Sequence, residues 1–98
     1  MKLLVVFDVG ADVIDVPQFV IDQKEQYASH FYKWLSNKSV RHSYWVTFDD
    51  GTKGLCFRAD ALVEWLNKKV MRDSNEKAVI IQQCVAIEDY SHLPSIFF

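Results

Sequence analysis

The stretch that decides the fold is residues 44–71, which read YWVTFDDGTKGLCFRADALVEWLNKKVM. Side chains alternate in character over residues 44–48, as they do in a half-buried strand. Asp50 and Gly51 then favour a tight turn, because glycine readily adopts positive φ, and an apolar return strand follows. After Asp60 the apolar residues recur at helical spacing. The segment therefore predicts a β-hairpin that leads directly into a helix capped by Asp60.

The flanking segments supply the rest of the predicted elements. The apolar run at residues 3–7 predicts a buried strand, and the helical spacing over residues 17–36 predicts a helix. Residues 8–16 leave two alternatives open, a loop or a second short strand that turns back at Gly10. Residues 78–87 are apolar on both faces, which predicts a long strand inside the sheet.

These elements give the order β-α-β-β-α-β within a single α+β domain spanning residues 1–98. The order matches the ferredoxin-like (split βαβ) two-layer sandwich, in which two helices cover one face of an antiparallel-rich sheet. A strand at residues 12–16 would add a member to the sheet and change its topology. The apolar C-terminal tail, residues 90–98, is expected either to dock on the body of the domain or to bind a partner.

The composition bounds the function. Thirteen acidic and eleven basic residues give a net charge of −2, and the basic residues form no long run. Direct nucleic-acid binding is therefore not expected, although a cationic patch assembled in three dimensions stays open. The apolar run at residues 3–7 is too short for a signal peptide or a membrane span, so we expect a cytoplasmic protein. Cys56 and Cys84 lie in apolar runs and are expected to be buried thiols.

Two short stretches resemble known families. Residues 53–57, KGLCF, are similar to the signature on the third strand of RNA-recognition motifs, but Leu55 replaces the first stacking aromatic residue. Residues 4–8, LVVFD, resemble the first strand of Cas2-type nucleases. That resemblance implies a symmetric dimer in which Asp8 binds a metal ion, although the arginine-bearing stretch of that family is absent. A metal-dependent nuclease that uses Asp8 is therefore one alternative function.

No other stretch carries the pattern of a catalytic or cofactor site. The three histidines are well separated, and neither a zinc-binding motif, a nucleophile elbow nor a glycine-rich phosphate loop occurs. Asp8, Asp12 and Asp15 lack the spacing of a calcium-binding loop, which favours a solvated acidic loop. The sequence thus predicts no catalytic residue, no bound metal and no cofactor. A small-ligand regulatory domain that uses an open sheet face is a further alternative.

The function that we favour from the sequence is a small non-catalytic protein-binding module. A bacterial or phage inhibitor, antitoxin or immunity-type protein that occludes a basic toxin or nuclease is the expected context, because acidic side chains steer association with a basic target. Trp45 lies opposite its neighbours in the strand alternation, which predicts either an interface aromatic or a core residue beneath Ile96 and Phe97. The predicted partner-binding residues are Asp8, Asp12, Asp15, His42, Trp45, Asp49 and Asp50.

Overall fold

Two strands, two helices, two strands, one helix and two strands follow one another in the computed structural model, which describes residues 1–8 and 10–98. Three α-helices accompany six strands in these residues. A π-helical turn, Leu66–Val70, continues α3, and a 3₁₀ turn, Ile87–Tyr90, precedes the last strand. In chain order the elements are β1 (Lys2–Phe7), β2 (Gly10–Asp15), α1 (Gln18–Asp22), α2 (Lys24–Ser36), β3 (Trp45–Thr47), β4 (Lys53–Leu55), α3 (Ala59–Trp65), β5 (Val79–Gln82) and β6 (Ser95–Phe97).

The main sheet has four strands in the order β5-β2-β1-β6. β1 and β2 form an antiparallel hairpin in which Lys2 faces Asp15 and Phe7 faces Gly10. β5 adds to β2 in the antiparallel sense, and β6 adds to β1 in the parallel sense. Of the two alternatives for residues 8–16, the structure therefore shows the second strand.

This second strand explains why the predicted β-α-β-β-α-β order is wrong and the ferredoxin-like arrangement is not confirmed. β2 occupies the place beside β1 that a strand from later in the chain would take in that arrangement. β3 and β4 pair with each other instead and form a separate two-stranded sheet. The coarser prediction, one small domain of mixed helices and strands, agrees with the structure.

Apolar residues on both faces of β1 and β2 build two layers of core, because successive side chains of a strand point to opposite faces. Leu4, Ala11 and Val13 lie on the face covered by Val85 and its neighbours. The other face packs against the helices, and burying each large side chain there contributes about 1.5–3 kcal/mol. The largest residues of this helix-facing core are Leu3, Val5, Phe7, Ile14, Phe31, Leu35, Leu62, Trp65, Leu66, Met71 and Ile96.

Two helix predictions need correction. The helix expected over residues 17–36 is divided at Gln23 into α1 and α2. α3 begins at Ala59 with Arg58 at the N-cap position, so Asp60 lies in the first turn rather than at the cap. The Asp60 carboxylate still accepts hydrogen bonds from the backbone N–H groups of Arg58 and Ala61, which satisfies donors at the helix start.

The C-terminal third also differs from its prediction. The strand expected over residues 78–87 is only four residues long, because the chain turns at Cys84, whose φ is +56°. It also forms an edge of the sheet rather than an internal strand. The tail docks on the body as β6 and buries Ile96. Cys56 and Cys84 are free and exposed rather than buried. Within the described residues, no helix combines the length and apolar character needed to cross a membrane.

Candidate functional site

The β3–β4 hairpin stands outside the main sheet and is closed by a compact turn. The backbone N–H of Gly51 donates to the carbonyl of Phe48 over 2.9 Å, and the N–H of Phe48 donates to the carbonyl of Thr52 over 2.8 Å. Gly51 has φ of +85°, a left-handed conformation that side chains with a Cβ rarely adopt. The sequence prediction of a hairpin closed by Asp50 and Gly51 is confirmed.

The hairpin tip carries an exposed aromatic ring on a rigid support. The side chain of Phe48 is 54% exposed, and its ring covers Gly54 on the opposite strand. A Cβ at position 54 would lie 2.6 Å from Cε2 of Phe48, so the glycine is what lets the ring lie against the backbone. An aromatic ring that is held in place yet open to solvent is the feature that a binding hot spot requires.

The two aspartates at the tip have different roles. Oδ1 of Asp50 accepts hydrogen bonds from the backbone N–H and the hydroxyl of Thr52, over 3.0 and 2.6 Å. These bonds hold the pKa of Asp50 below its usual range. Asp49 is exposed and makes no side-chain hydrogen bond within the described residues. Asp50 therefore shapes the turn, and Asp49 presents its carboxylate beside Phe48.

Behind the tip, His42 and Trp45 form a stacked pair rather than an exposed surface. Their rings are 8° from parallel, with centroids 5.7 Å apart. Nε2 of His42 donates to the carbonyl of Leu35 over 2.7 Å, and Nδ1 accepts the N–H of Tyr44 over 3.1 Å, so both ring nitrogens are engaged within the chain. Trp45 thus stacks on His42, whereas Ile96 belongs to the main core, which does not include Trp45, and Phe97 is 67% exposed.

Tyr44 connects the base of the hairpin to α3. Its hydroxyl donates to the carboxylate of Glu64, which also accepts from Lys68. Burial, followed by the hydrogen bond to Glu64, raises the pKa of Tyr44 above its ordinary value. Lys68, followed by Tyr44, lowers the pKa of Glu64. These contacts fix the orientation of the hairpin relative to the helix.

Asp12 does not belong to an exposed acidic loop, which corrects the prediction for that residue. It is 0% exposed, because it lies on the same face of β2 as Ile14 and points toward the helices. Its Oδ1 accepts from Nη2 of Arg58 over 2.8 Å and from the N–H of Cys84 over 2.9 Å. Its Oδ2 accepts a longer hydrogen bond, 3.4 Å, from the N–H of Ala59. One buried carboxylate thus joins β2, the start of α3 and the turn after β5.

The same carboxylate positions Arg58. Nη2 of Arg58 also lies 3.3 Å from Sγ of Cys84, and Cζ lies 5.0 Å from the centre of the Phe7 ring. The hydrogen bond to Asp12 raises the pKa of the Arg58 guanidinium above its ordinary value. Burial of the Asp12 carboxylate and the positive φ of Cys84 both cost free energy of folding. Features of this kind concentrate at functional sites.

Arg58 lies at the edge of a cleft of about 440 Å³ whose walls include Phe7, Phe57 and Phe98. Asp8 also lines this cleft, in the turn that follows β1. Asp8 is the residue that the nuclease resemblance implies as a metal ligand. In residues 1–8 and 10–98, the structure brings together no group of three or more His, Cys, Asp or Glu side chains suited to a metal ion.

The three acids that the sequence places in one loop are therefore separated. Asp8 lies at one end of the β1–β2 hairpin, and Asp12 lies in the core. Asp15 lies at the other end, where it pairs with the N-terminal amino group over 2.8 Å. The sequence did not predict Phe48 or Arg58 as site residues. The alternation of residues 44–48 places Phe48 on the same face as Tyr44 and Val46 but does not show which face is exposed, and no local pattern marks Arg58.

Comparison of the chain with protein-family models, with curated proteins and with solved structures found no match.

Proposed function

We propose that this chain is a small non-catalytic protein-binding module that docks on a basic partner through the tip of its β3–β4 hairpin. The observation that carries the proposal is the exposed Phe48 ring, held over Gly54 and flanked by the free carboxylate of Asp49. An inhibitor, antitoxin or immunity-type protein that covers a basic surface of a toxin or nuclease is the particular context that we propose.

The chemistry of the tip supports this proposal. A large aromatic side chain supplies apolar contact area, and it loses little conformational entropy on binding when it is already held in place. The adjacent carboxylate favours a cationic partner and accelerates encounter with it. Truncating such a hot-spot residue typically costs about 2 kcal/mol, which corresponds to roughly a 30-fold loss of affinity.

The position of the hairpin also favours docking. β3 and β4 form their own two-stranded sheet, so a partner can cover the tip without disturbing the four-stranded sheet. Gly51 and Asp50 fix the turn before any partner arrives, which lowers the entropic cost of association. We further propose that the protein acts in the cytoplasm, because its two exposed free thiols suit a reducing compartment.

The test compares capture by hairpin variants with capture by matched controls. Immobilised wild-type protein is expected to retain a basic protein from an extract of the source organism, and this protein is then purified for titration. Phe48→Ala and Asp49→Lys are expected to weaken binding by about 30-fold and tenfold, respectively. Phe19→Ala, at an exposed aromatic of α1, and Asp73→Lys, at an exposed acid, should leave the affinity unchanged.

Two results would contradict the proposal. The first is a partner whose affinity is unchanged by Phe48→Ala and Asp49→Lys but is weakened by the control substitutions Phe19→Ala or Asp73→Lys. The second is Mg²⁺-dependent cleavage of nucleic acid by the purified chain that is lost in Asp8→Asn without loss of stability. That second result would favour the nuclease alternative, particularly if light scattering showed a dimer.

A further inference from the structure

The hairpin has a second face, which closes a pocket of about 620 Å³ with the loop between α2 and β3. Lys38 and Arg41 contribute from the loop. Thr47 and Lys53 contribute from the hairpin, where they face each other across the ladder and therefore share one side of it. Trp45 lines the same pocket, and its ring is supported by His42.

Three cationic side chains, those of Lys38, Arg41 and Lys53, converge on this pocket in a chain of net charge −2. All three are exposed, and none makes a salt bridge in the part of the chain that the structure describes. Like charges gathered in one concavity repel each other and produce a local positive potential. A bound anion offsets that repulsion and gains from the potential.

The polar groups of the pocket are mainly hydrogen-bond donors. The ammonium groups of Lys38 and Lys53 and the guanidinium group of Arg41 have no acceptor capacity. No carboxylate belongs to the lining, so the pocket offers donors to a ligand rich in acceptor oxygens. Phosphate groups combine many such oxygens with negative charge, and they form charge-assisted hydrogen bonds with Lys and Arg.

We infer that this pocket binds a small ligand whose phosphate groups carry two or more negative charges. Its volume falls in the range of small-molecule sites, and a nucleotide-sized ligand matches it. The sequence did not predict an anion site, because Lys38 and Lys53 are fifteen positions apart and form no basic run. The fold of the hairpin onto the loop brings them together.

This site is distinct from the docking surface of the proposed function. Trp45, Thr47 and Lys53 lie on one face of the hairpin, whereas Val46 and Gly54, with the Phe48 ring over it, lie on the other. The phosphate site and the docking surface can therefore fail independently when each is tested.

The experiment is a titration of ¹⁵N-labelled protein in phosphate-free buffer, read by amide and indole N–H resonances. Three ligands are compared: sodium pyrophosphate, ADP and a single-stranded oligonucleotide. Pyrophosphate is expected to shift the amides of residues 38–45 and 51–53 saturably, together with the Trp45 indole signal, which Trp45→Phe identifies. Arg41→Ala and Lys53→Ala should each weaken binding by about three- to tenfold.

Lys33→Ala is the matched control, because Lys33 is an exposed lysine on α2 and its loss changes the net charge equally. It should change the affinity less than twofold. Tighter binding of ADP than of pyrophosphate would identify a nucleotide as the source of the phosphate. Tighter binding of the oligonucleotide than of pyrophosphate and ADP would identify single-stranded nucleic acid and contradict the assignment of a small ligand.

Either of two further results also overturns the inference. One is a dissociation constant weaker than about 1 mM for all three ligands. The other is an equal loss of affinity in Arg41→Ala, Lys53→Ala and Lys33→Ala, which would indicate general attraction of anions to the surface. Urea unfolding of each variant shows whether the fold is intact, so that a loss of binding is read only from folded protein.

Discussion

Replacement of Asp12 by alanine tests the interpretation that one buried carboxylate holds three elements together. The substitution removes the acceptor of the hydrogen bonds from Arg58, from the N–H of Cys84 and from the N–H of Ala59. The alanine side chain satisfies none of these donors. The N–H groups lie in the interior or at its edge, where water replaces the lost acceptor poorly.

The magnitude follows from the two backbone donors that lose their partner. Each unsatisfied buried donor costs about 1–3 kcal/mol, and the longer bond from Ala59 belongs at the low end of that range. Asp12→Ala is therefore expected to lower the free energy of unfolding by about 3 kcal/mol. A domain of this size has a total stability of about 5–15 kcal/mol, so the variant should still fold. Asp12→Asn keeps one acceptor oxygen and should lose about half as much.

Urea unfolding followed by circular dichroism measures this loss. With a slope of about 1 kcal/mol per molar urea, the midpoint of Asp12→Ala should fall by about 3 M. The control is Asp73→Ala, at an exposed aspartate, which should change stability by less than about 0.5 kcal/mol. Asp12→Ala combined with Arg58→Met should be less destabilising than the sum of the two single variants. A loss below about 1 kcal/mol for Asp12→Ala, or strict additivity, would refute the reasoning.

Three further perturbations are expected to have measurable effects. Gly51→Ala should destabilise the protein by about 1 kcal/mol in urea unfolding, because a Cβ is strained at φ of +85° even though nothing lies within 4 Å of it. Cys84→Val should cost more than Cys84→Asn by about 1 kcal/mol in the same assay, because β-branched residues tolerate φ of +56° poorly and asparagine tolerates it well. The pKa of Tyr44 is raised in the fold, so its contribution to stability is complete below its unfolded pKa of about 10 and declines as the pH rises further. Thermal unfolding between pH 9 and about pH 11 should therefore show a steeper loss for the wild type than for Tyr44→Phe, and parallel curves would contradict this.

The hairpin was predictable because its determinants are local. Alternation in residues 44–48 and the left-handed preference of Gly51 act within a few residues, and the structure contains both features. The order of strands in the main sheet depends on pairing between distant segments. β6 pairs with β1 across almost the whole chain, and no pattern within either strand specifies its partner. The length of β5 depended on one backbone conformation at Cys84, which a run of apolar letters does not reveal.

The candidate site shows the same division. Asp12 looked like a surface acid because its partners are distant in sequence, with Arg58 46 positions and Cys84 72 positions away. Alternation groups Phe48 with Tyr44 and Val46 without showing which face is exposed, and the hairpin that carries it is too short and too peripheral to be covered on both sides. The exposure of Asp49 and the paired state of Asp50 depend on the turn alone. Local chemistry was thus readable from the sequence, whereas the burial of Asp12 and the exposure of Phe48 were not.

The two faces of the hairpin are expected to influence each other. Asp49 and Lys53 adjoin the hydrogen-bonded pair Phe48 and Thr52 at the hairpin tip, so they lie within about one Debye length at physiological ionic strength and charges on one face act on the other. A phosphate ligand beside Lys53 would add negative charge near Asp49 and strengthen the attraction of a basic partner. By linkage, the partner would strengthen phosphate binding by the same factor. Titration of the partner with and without pyrophosphate measures that factor. It should fall toward one in Lys53→Ala and at high salt, and an unchanged factor in either case would show that the two surfaces are coupled by something other than charge.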